Sequence, residues 1–104
     1  MAQARVVLTT CGSKDEAHRI ARALVERRVA ACVNIISSVE SIYRWEERID
    51  NATEWLLLIK TTAEKSAVVC DAIRELHSYD VPECIVIPIE DGTAEYLKWI
   101  NENS

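Results

Sequence analysis

The sequence predicts an α+β domain in which two helices cover one face of a four-stranded antiparallel sheet and a third helix follows. β-rich runs alternate with segments whose apolar residues recur at helical spacing, in the order β-α-β-β-α-β-α. Capping-box patterns, Ser13 with Glu16 and Thr61 with Glu64, precede the first two helical segments. A chain of 104 residues can bury one core, so a single domain is predicted over residues 1–104.

The first strand and the first helix are predicted at residues 5–10 and 14–28. Residues 5–10 form a short β-rich run typical of a buried strand. The helix has one apolar face, made by Ala17, Ile20, Ala21, Leu24 and Val25. Arg27 and Arg28 are expected in its last turn, where cations suit the negative end of the helix dipole.

Two long strands are predicted next. From residue 31 to residue 45, interrupted by Ser37-Ser38, β-branched and aromatic residues alternate with polar ones. Asp50-Asn51 predicts a turn, and residues 54–62 are apolar on both faces, which indicates a central strand. Both strands are longer than the first strand needs as a partner, so part of them should project beyond the monomer.

The last three elements are a helix at residues 63–77, a strand at residues 83–89 and a short helix whose N-cap is Thr93. Pro88 cannot donate to a strand ladder, which argues for a sheet edge or a strand end.

The order of the first six elements is that of the ferredoxin-like βαββαβ fold, which gives the strand order 4-1-3-2. Cys11 and residues 77–83 should then lie at one end of the sheet. Cys32 and Lys60 should lie at the opposite end.

Composition excludes several functions. Twelve Lys and Arg against seventeen Asp and Glu give a net charge of −5, which opposes non-specific nucleic-acid binding and is compatible with cations or a protein partner. No apolar run approaches the roughly 20 residues that span a bilayer, so no membrane partner is expected. The first residues lack the layout of a signal peptide, so the cytoplasm is the predicted compartment. With two glycines, the chain has no phosphate-binding glycine loop.

The four cysteines show no C-x-x-C spacing: Cys11, Cys32, Cys70 and Cys84. In a reducing compartment they are expected to be free thiols rather than a disulfide framework. Each is then either a small core residue or a soft metal ligand.

Five segments together resemble the CutA divalent-cation tolerance family: AACVNII (30–36), SIYRW (41–45), LLIKTT (57–62), LHSYDVPE (76–83) and YLKWI (96–100). The resemblance covers nearly the whole chain. It implies a ferredoxin-like fold, a homotrimer that shares long strand extensions and is similar to PII-type trimers, and a link to copper and other divalent cations. The family commonly has Pro-Gly at Ser37-Ser38, Gly at Glu47, Pro at Ser78 and an aliphatic residue at Cys84.

The predicted metal site contains Cys11 and His77, with Glu83 as a third donor. Cys11 precedes a helix N-terminus, which should lower the pKa of its thiol, and His77 is brought to the same end of the sheet by the topology. Thiolate and imidazole favour Cu or Zn, bound labilely and not required for folding. Cys32 is a weaker candidate, because only a neighbouring subunit could present it.

Both main donors also fit a role without metal. Cys11 is equally well explained as a small buried residue, and His77 as a cation at a helix C-terminus. If the metal site exists, its affinity should fall as the pH drops below about 6.5, the usual pKa of imidazole.

The predicted function is therefore a homotrimer that binds divalent cations without turnover, and not an enzyme. The alternative is a PII-like regulatory trimer that binds a small anionic ligand between subunits, through Lys60 and Tyr43. Acylphosphatase chemistry would need an arginine in residues 10–14, which have a lysine instead. RNA binding would need aromatic residues in the first and third strands, but the first has none and the third has only Trp55.

Overall fold

The computed structural model describes residues 3–104 as one antiparallel sheet with three helices. The strand order is β2-β3-β1-β4, so the predicted topology is confirmed. Among residues 3–104, no helix combines the length and the apolar character needed to cross a membrane. The elements are β1 (Ala4–Cys11), α1 (Lys14–Glu26), β2 (Cys32–Trp45), β3 (Arg48–Thr62), α2 (Ala63–Leu76), β4 (Ile85–Pro88) and α3 (Ala94–Asn103).

The core lies between one face of the sheet and the helices α1 and α2. Successive strand residues point to opposite faces, so Val7 and Cys11 of β1 and Leu57 and Ile59 of β3 share the buried face. All four are fully buried. The helices pack against them through Ala17, Ile20, Ala21 and Leu24 of α1 and through Val69, Ala72 and Ile73 of α2. Val25, which the periodicity assigns to the apolar face of α1, is instead 42% exposed.

The start of α1 is confirmed and its end is corrected. The Ser13 hydroxyl accepts a hydrogen bond from the Glu16 amide at 3.2 Å, which is one half of the predicted capping box. The Glu16 side chain does not complete it, because its Oε2 accepts from the Ser78 amide instead. The helix ends at Glu26, before Arg27 and Arg28, which therefore do not lie in its last turn. Arg28 has a φ of 56°, a left-handed conformation that ends the helix.

The prediction of a second capping box, Thr61 with Glu64, is wrong. The N-cap of α2 is Thr62, and its side chain forms no capping hydrogen bond. The Thr61 hydroxyl instead donates to the Val29 carbonyl at 2.6 Å, which ties β3 to the segment after α1. Thr93 is the N-cap of α3 as predicted, also without a side-chain bond.

Strands β2 and β3 extend well past the rest of the sheet. β1 pairs with β3 only as far as Cys11 and Trp55, and beyond that point β2 and β3 pair with each other alone. We call this hairpin, residues 38–54, the arm. It confirms the predicted surplus of strand length and contributes to a long axis of 45 Å.

The turn of the arm lies at Glu46-Glu47 and not at Asp50-Asn51. Both glutamates have positive φ, 50° and 67°, as a two-residue hairpin turn of type I′ requires. Asp50 and Asn51 lie inside the ladder, where Asp50 pairs with Tyr43.

Strand β4 is a four-residue edge strand on β1 and ends at Pro88, as the missing amide donor predicts. The next amide, from Ile89, donates to the Ala4 carbonyl at 3.1 Å.

The prediction of four free thiols is wrong, because Cys70 and Cys84 form a disulfide. Cys70 lies on α2, and the chain returns past this helix on its way to β4, so that the two Cα atoms are 5.9 Å apart. Cys84 is therefore a cross-link rather than core filler. Cys11 and Cys32 are the free cysteines of the described residues.

Candidate metal centre

Three possible metal ligands meet where β1, α1 and α2 come together. Cys11 is the last residue of β1, Glu16 lies in the first turn of α1, and His77 is the C-cap of α2. One donor atom from each lies within 4.8 Å of the others. The structure thus confirms that Cys11 and His77 lie at the same end of the sheet, and it adds Glu16.

Short connections hold these side chains in place. Between Cys11 and α1 there are only two residues, Gly12 and Ser13, so the Ser13 cap sets the position of Glu16. A Cβ atom at Gly12 would lie 2.8 Å from the Tyr79 hydroxyl oxygen, so a larger residue there would force the Tyr79 side chain to move. His77 ends α2 with its amide bonded to the Ile73 carbonyl at 2.9 Å.

Two hydrogen bonds define the tautomer of His77. Nε2 lies 2.7 Å from the Thr10 carbonyl oxygen, which can only accept, so Nε2 carries the proton. Nδ1 then accepts from the Tyr79 amide at 3.1 Å. Nδ1 is thus the one lone pair that this imidazole can offer, and a metal would have to take it from the Tyr79 amide.

Glu16 presents one oxygen that is buried without a partner. Its Oε2 accepts from the Ser78 amide at 3.1 Å and lies 3.6 Å from the Arg19 guanidinium. Its Oε1 has no hydrogen-bond partner among the described residues and lies 3.6 Å from Nδ1 of His77. Because a buried unpaired carboxylate oxygen is costly, this atom is the clearest sign of a missing ligand at the site.

The environment of Cys11 reverses the predicted direction of its pKa. Burial, and then the charges of Glu16 and Glu54, raise the pKa of the thiol to about 12, while Arg19 opposes the shift. The prediction considered only the nearby helix N-terminus. The side chain is fully buried beside two carboxylates, and both effects disfavour the thiolate.

We expect iodoacetamide at pH 8 to modify Cys32 in the native protein and to spare Cys11. Cys32 is partly exposed, whereas Cys11 is buried and protonated. Peptide mass spectrometry before and after denaturation measures both sites. Cys32→Ser should remove the rapid modification, and rapid native labelling of Cys11 would contradict its assigned environment.

The remaining predicted site residues lie elsewhere. Cys32 and Lys60 face each other across β2 and β3, five positions along β3 from Trp55, the partner of Cys11. The Lys60 ammonium lies 3.4 Å from the Tyr96 hydroxyl. In a single chain, the structure therefore brings neither residue to the Cys11 end of the sheet.

Glu83 and Tyr43 line a cavity of about 330 Å³ beside the three donors. Thr10 and Tyr79, which both contact the His77 ring, also line it. Lys60, proposed with Tyr43 as an anion site, is not among the lining residues.

Sequence reasoning missed Glu16 and Tyr79. The capping-box pattern assigns the Glu16 side chain to the Ser13 amide, whereas the structure directs it to the Ser78 amide and the His77 ring. Tyr79 follows His77 by two residues in a segment without regular structure, where no periodicity indicates the direction of a side chain.

Comparison with known protein sequences indicates one family for this chain. Residues 5–103 match the model of the family described as CutA1 divalent ion tolerance protein. The chain is 46% identical over 99 residues to the divalent-cation tolerance protein CutA of Thermus thermophilus, covering 95% of this chain and 96% of that protein. It is 42% identical over 93 residues to human protein CutA, covering 89% of this chain and 52% of the human protein. This chain therefore spans about half of the length of the human relative.

Comparison with solved structures indicates the same family. The crystal structure of CutA1 from Oryza sativa superposes with a TM-score of 0.96 at 35% identity, over 99% of this chain and 94% of that one. A structure from Archaeoglobus fulgidus, named as a periplasmic divalent cation tolerance protein CutA, superposes with a TM-score of 0.93 at 43% identity, over 96% and 97% of the two chains.

Proposed function

Because this chain belongs to the CutA1 divalent ion tolerance protein family, we propose that it binds a Cu or Zn ion reversibly at Cys11, Glu16 and His77, without catalysing a reaction. The observation that carries the proposal is the buried Glu16 Oε1, which has no partner and faces the imidazole. A cation between these groups would satisfy this oxygen.

The donor set suits a borderline-soft ion. A thiolate sulfur, an imidazole nitrogen and a carboxylate oxygen favour Zn or Cu over Mg or Ca, which prefer oxygen ligands alone. Three protein donors leave one position of a four-coordinate ion for water or for a neighbouring subunit.

Binding has two local costs. The Cys11 thiol must lose its proton although burial raises its pKa, and Nδ1 of His77 must release the Tyr79 amide. Both costs favour a labile ion over a permanent structural one. We expect folding not to require the metal, because the buried apolar residues between the sheet and the helices form a core of their own.

We propose further that the protein is a homotrimer assembled through the arm. Ile42 and Ile49 of the arm are each 70% exposed, and exposed apolar surface of this kind usually has a partner. A closed ring would also cover strand edges that otherwise invite aggregation.

Native mass spectrometry of the full chain, with and without Zn and Cu, tests both parts. We expect a trimer mass and up to one additional ion per subunit. A monomer at micromolar concentration would refute the assembly. Identical masses with and without metal would refute the binding.

Lys60 favours the alternative function, a PII-like regulatory trimer that binds a small anionic ligand. Its ammonium group forms no ion pair with the residues at positions 3–104, so it is available to an anion. This alternative requires Lys60 of one subunit to approach Tyr43 of another. A small anion that co-purifies with the trimer in the same spectra would support it.

The compartment stays a prediction. The cytoplasm was predicted together with free thiols, and the Cys70–Cys84 disulfide weighs against a reducing compartment.

A further inference from the structure

The cavity beside the three donors has an aromatic lining. Tyr43 and Trp45 come from the arm, and Tyr79 comes from the segment between α2 and β4. Aromatic ring faces carry partial negative charge and attract organic cations, above all where water is partly excluded.

The same cavity is lined by three carboxylates, from Glu54, Asp80 and Glu83, and by no Lys, Arg or His. Within residues 3–104, none of these three carboxylates forms an ion pair. Within a single chain, the negative lining therefore has no cation of its own.

Among the three carboxylates, Glu54 gives the strongest argument for a positively charged ligand, because it is only 7% exposed. It accepts one hydrogen bond, from the neutral phenol hydroxyl of Tyr79 at 2.9 Å. A buried carboxylate with one neutral partner is poorly compensated, and a ligand with positive charge would stabilise it.

A metal ion is a poor match for this cavity. In the described part of the chain, the group of three or more donors close enough to share an ion is Cys11, Glu16 and His77, and it includes none of the cavity carboxylates. Glu54, Asp80 and Glu83 therefore do not come close enough together to share one ion. They suit separate charges on one larger molecule.

We propose that this cavity binds an aliphatic amine with two or three ammonium groups. Each ammonium group donates hydrogen bonds to a carboxylate, and the ring faces of Tyr43, Trp45 and Tyr79 attract the positive charge of the chain. A volume of about 330 Å³ is at the small end of ligand sites, which fits a short flexible chain. This site goes beyond the metal proposal, since it uses different residues and a different class of ligand.

Calorimetric titration of the full-length protein with spermidine tests the inference, with 1,4-butanediol as an uncharged probe. We expect saturable binding of spermidine and none of the diol. Glu54→Gln keeps an acceptor for the Tyr79 hydroxyl and removes the charge, and it should weaken spermidine binding about tenfold, as for hydrogen bonds to charged groups. Glu83→Gln, at a more accessible position, should act in the same direction. Trp45→Leu should weaken binding roughly fivefold by removing a ring face.

Glu90→Gln is the matched control, because Glu90 is exposed and lies outside the cavity lining. It removes the same charge and should leave the affinity unchanged. If Glu54→Gln, Glu83→Gln and Glu90→Gln all bind spermidine like the parent, the attraction is non-specific and the inference is refuted. A protein that binds zinc but no spermidine also refutes it, and leaves the metal proposal standing.

Discussion

Zinc binding should weaken about 100-fold when Cys11 is replaced by Ala. Structural zinc sites with four ligands contribute about 10–16 kcal/mol, or roughly 3 kcal/mol for each ligand, which corresponds to about two orders of magnitude. Cys11 supplies the softest of the three donors. Because Ala differs from Cys only by the sulfur atom, the core should keep its packing. Calorimetric titration with zinc measures the change.

Cys32→Ala is the control for this variant, since Cys32 is the second free cysteine and lies at the opposite end of the sheet. It should bind zinc like the parent. His77→Ala should lose a comparable factor, because it removes the only available imidazole lone pair at the site. If Cys11→Ala and His77→Ala bind as tightly as the parent, the metal site is elsewhere or absent. A loss confined to Cys32→Ala would move the site to a subunit interface.

The pH dependence of zinc affinity gives an independent signature of Cys11. Its pKa is raised to about 12, so at neutral pH the thiol is protonated and zinc must displace that proton. Raising the pH by one unit lowers the cost of this displacement by about 1.36 kcal/mol, so the affinity should rise about tenfold per unit between pH 7 and 9. Cys11→Ala should lose this rise.

Removing the Cys70–Cys84 disulfide should lower the free energy of unfolding by about 3 kcal/mol, the value that loop closure gives for a loop of about 15 residues. The two cysteines are 14 positions apart, and the bond restricts the unfolded chain over that length. Urea unfolding of Cys70→Ala/Cys84→Ala, at the protein concentration used for the parent, measures the difference.

Reduction of the disulfide in the parent protein provides the control for this double variant. Dithiothreitol should shift the parent to the midpoint of the double variant and should leave the double variant unchanged, because Cys11 and Cys32 are not cross-linked. A parent whose midpoint does not respond to complete reduction would contradict the expected stabilisation.

The fold was predictable because local signals and tertiary packing agree. The Ser13 cap, the apolar faces of the helices and the missing donor of Pro88 each favour a single conformation. The misassigned turn shows where such agreement fails. Asp50 and Asn51 are common turn residues, yet cross-strand pairing places them in the ladder and leaves the reversal to Glu46-Glu47.

The site was predictable only in part, because topology specifies the end of an element and not the surroundings of a side chain. The predicted topology correctly placed Cys11 and His77 at the same end of the sheet. It could not reveal the burial that raises the pKa of Cys11, or the unpartnered oxygen of Glu16. The Cys70–Cys84 bond depends on how closely the return segment passes α2, and the spacing of the cysteines gives no signal for that distance.

Tyr79 contacts both proposed sites, one through its backbone amide and the other through its side-chain hydroxyl. Its amide donates to His77 Nδ1, the lone pair that a metal would take, and its phenol donates to Glu54 in the cavity. An ion that displaces the amide and an amine that engages Glu54 would therefore each act on the same short segment. Thermodynamic linkage makes such an effect reciprocal: whatever factor zinc applies to the affinity for spermidine, spermidine must apply to the affinity for zinc.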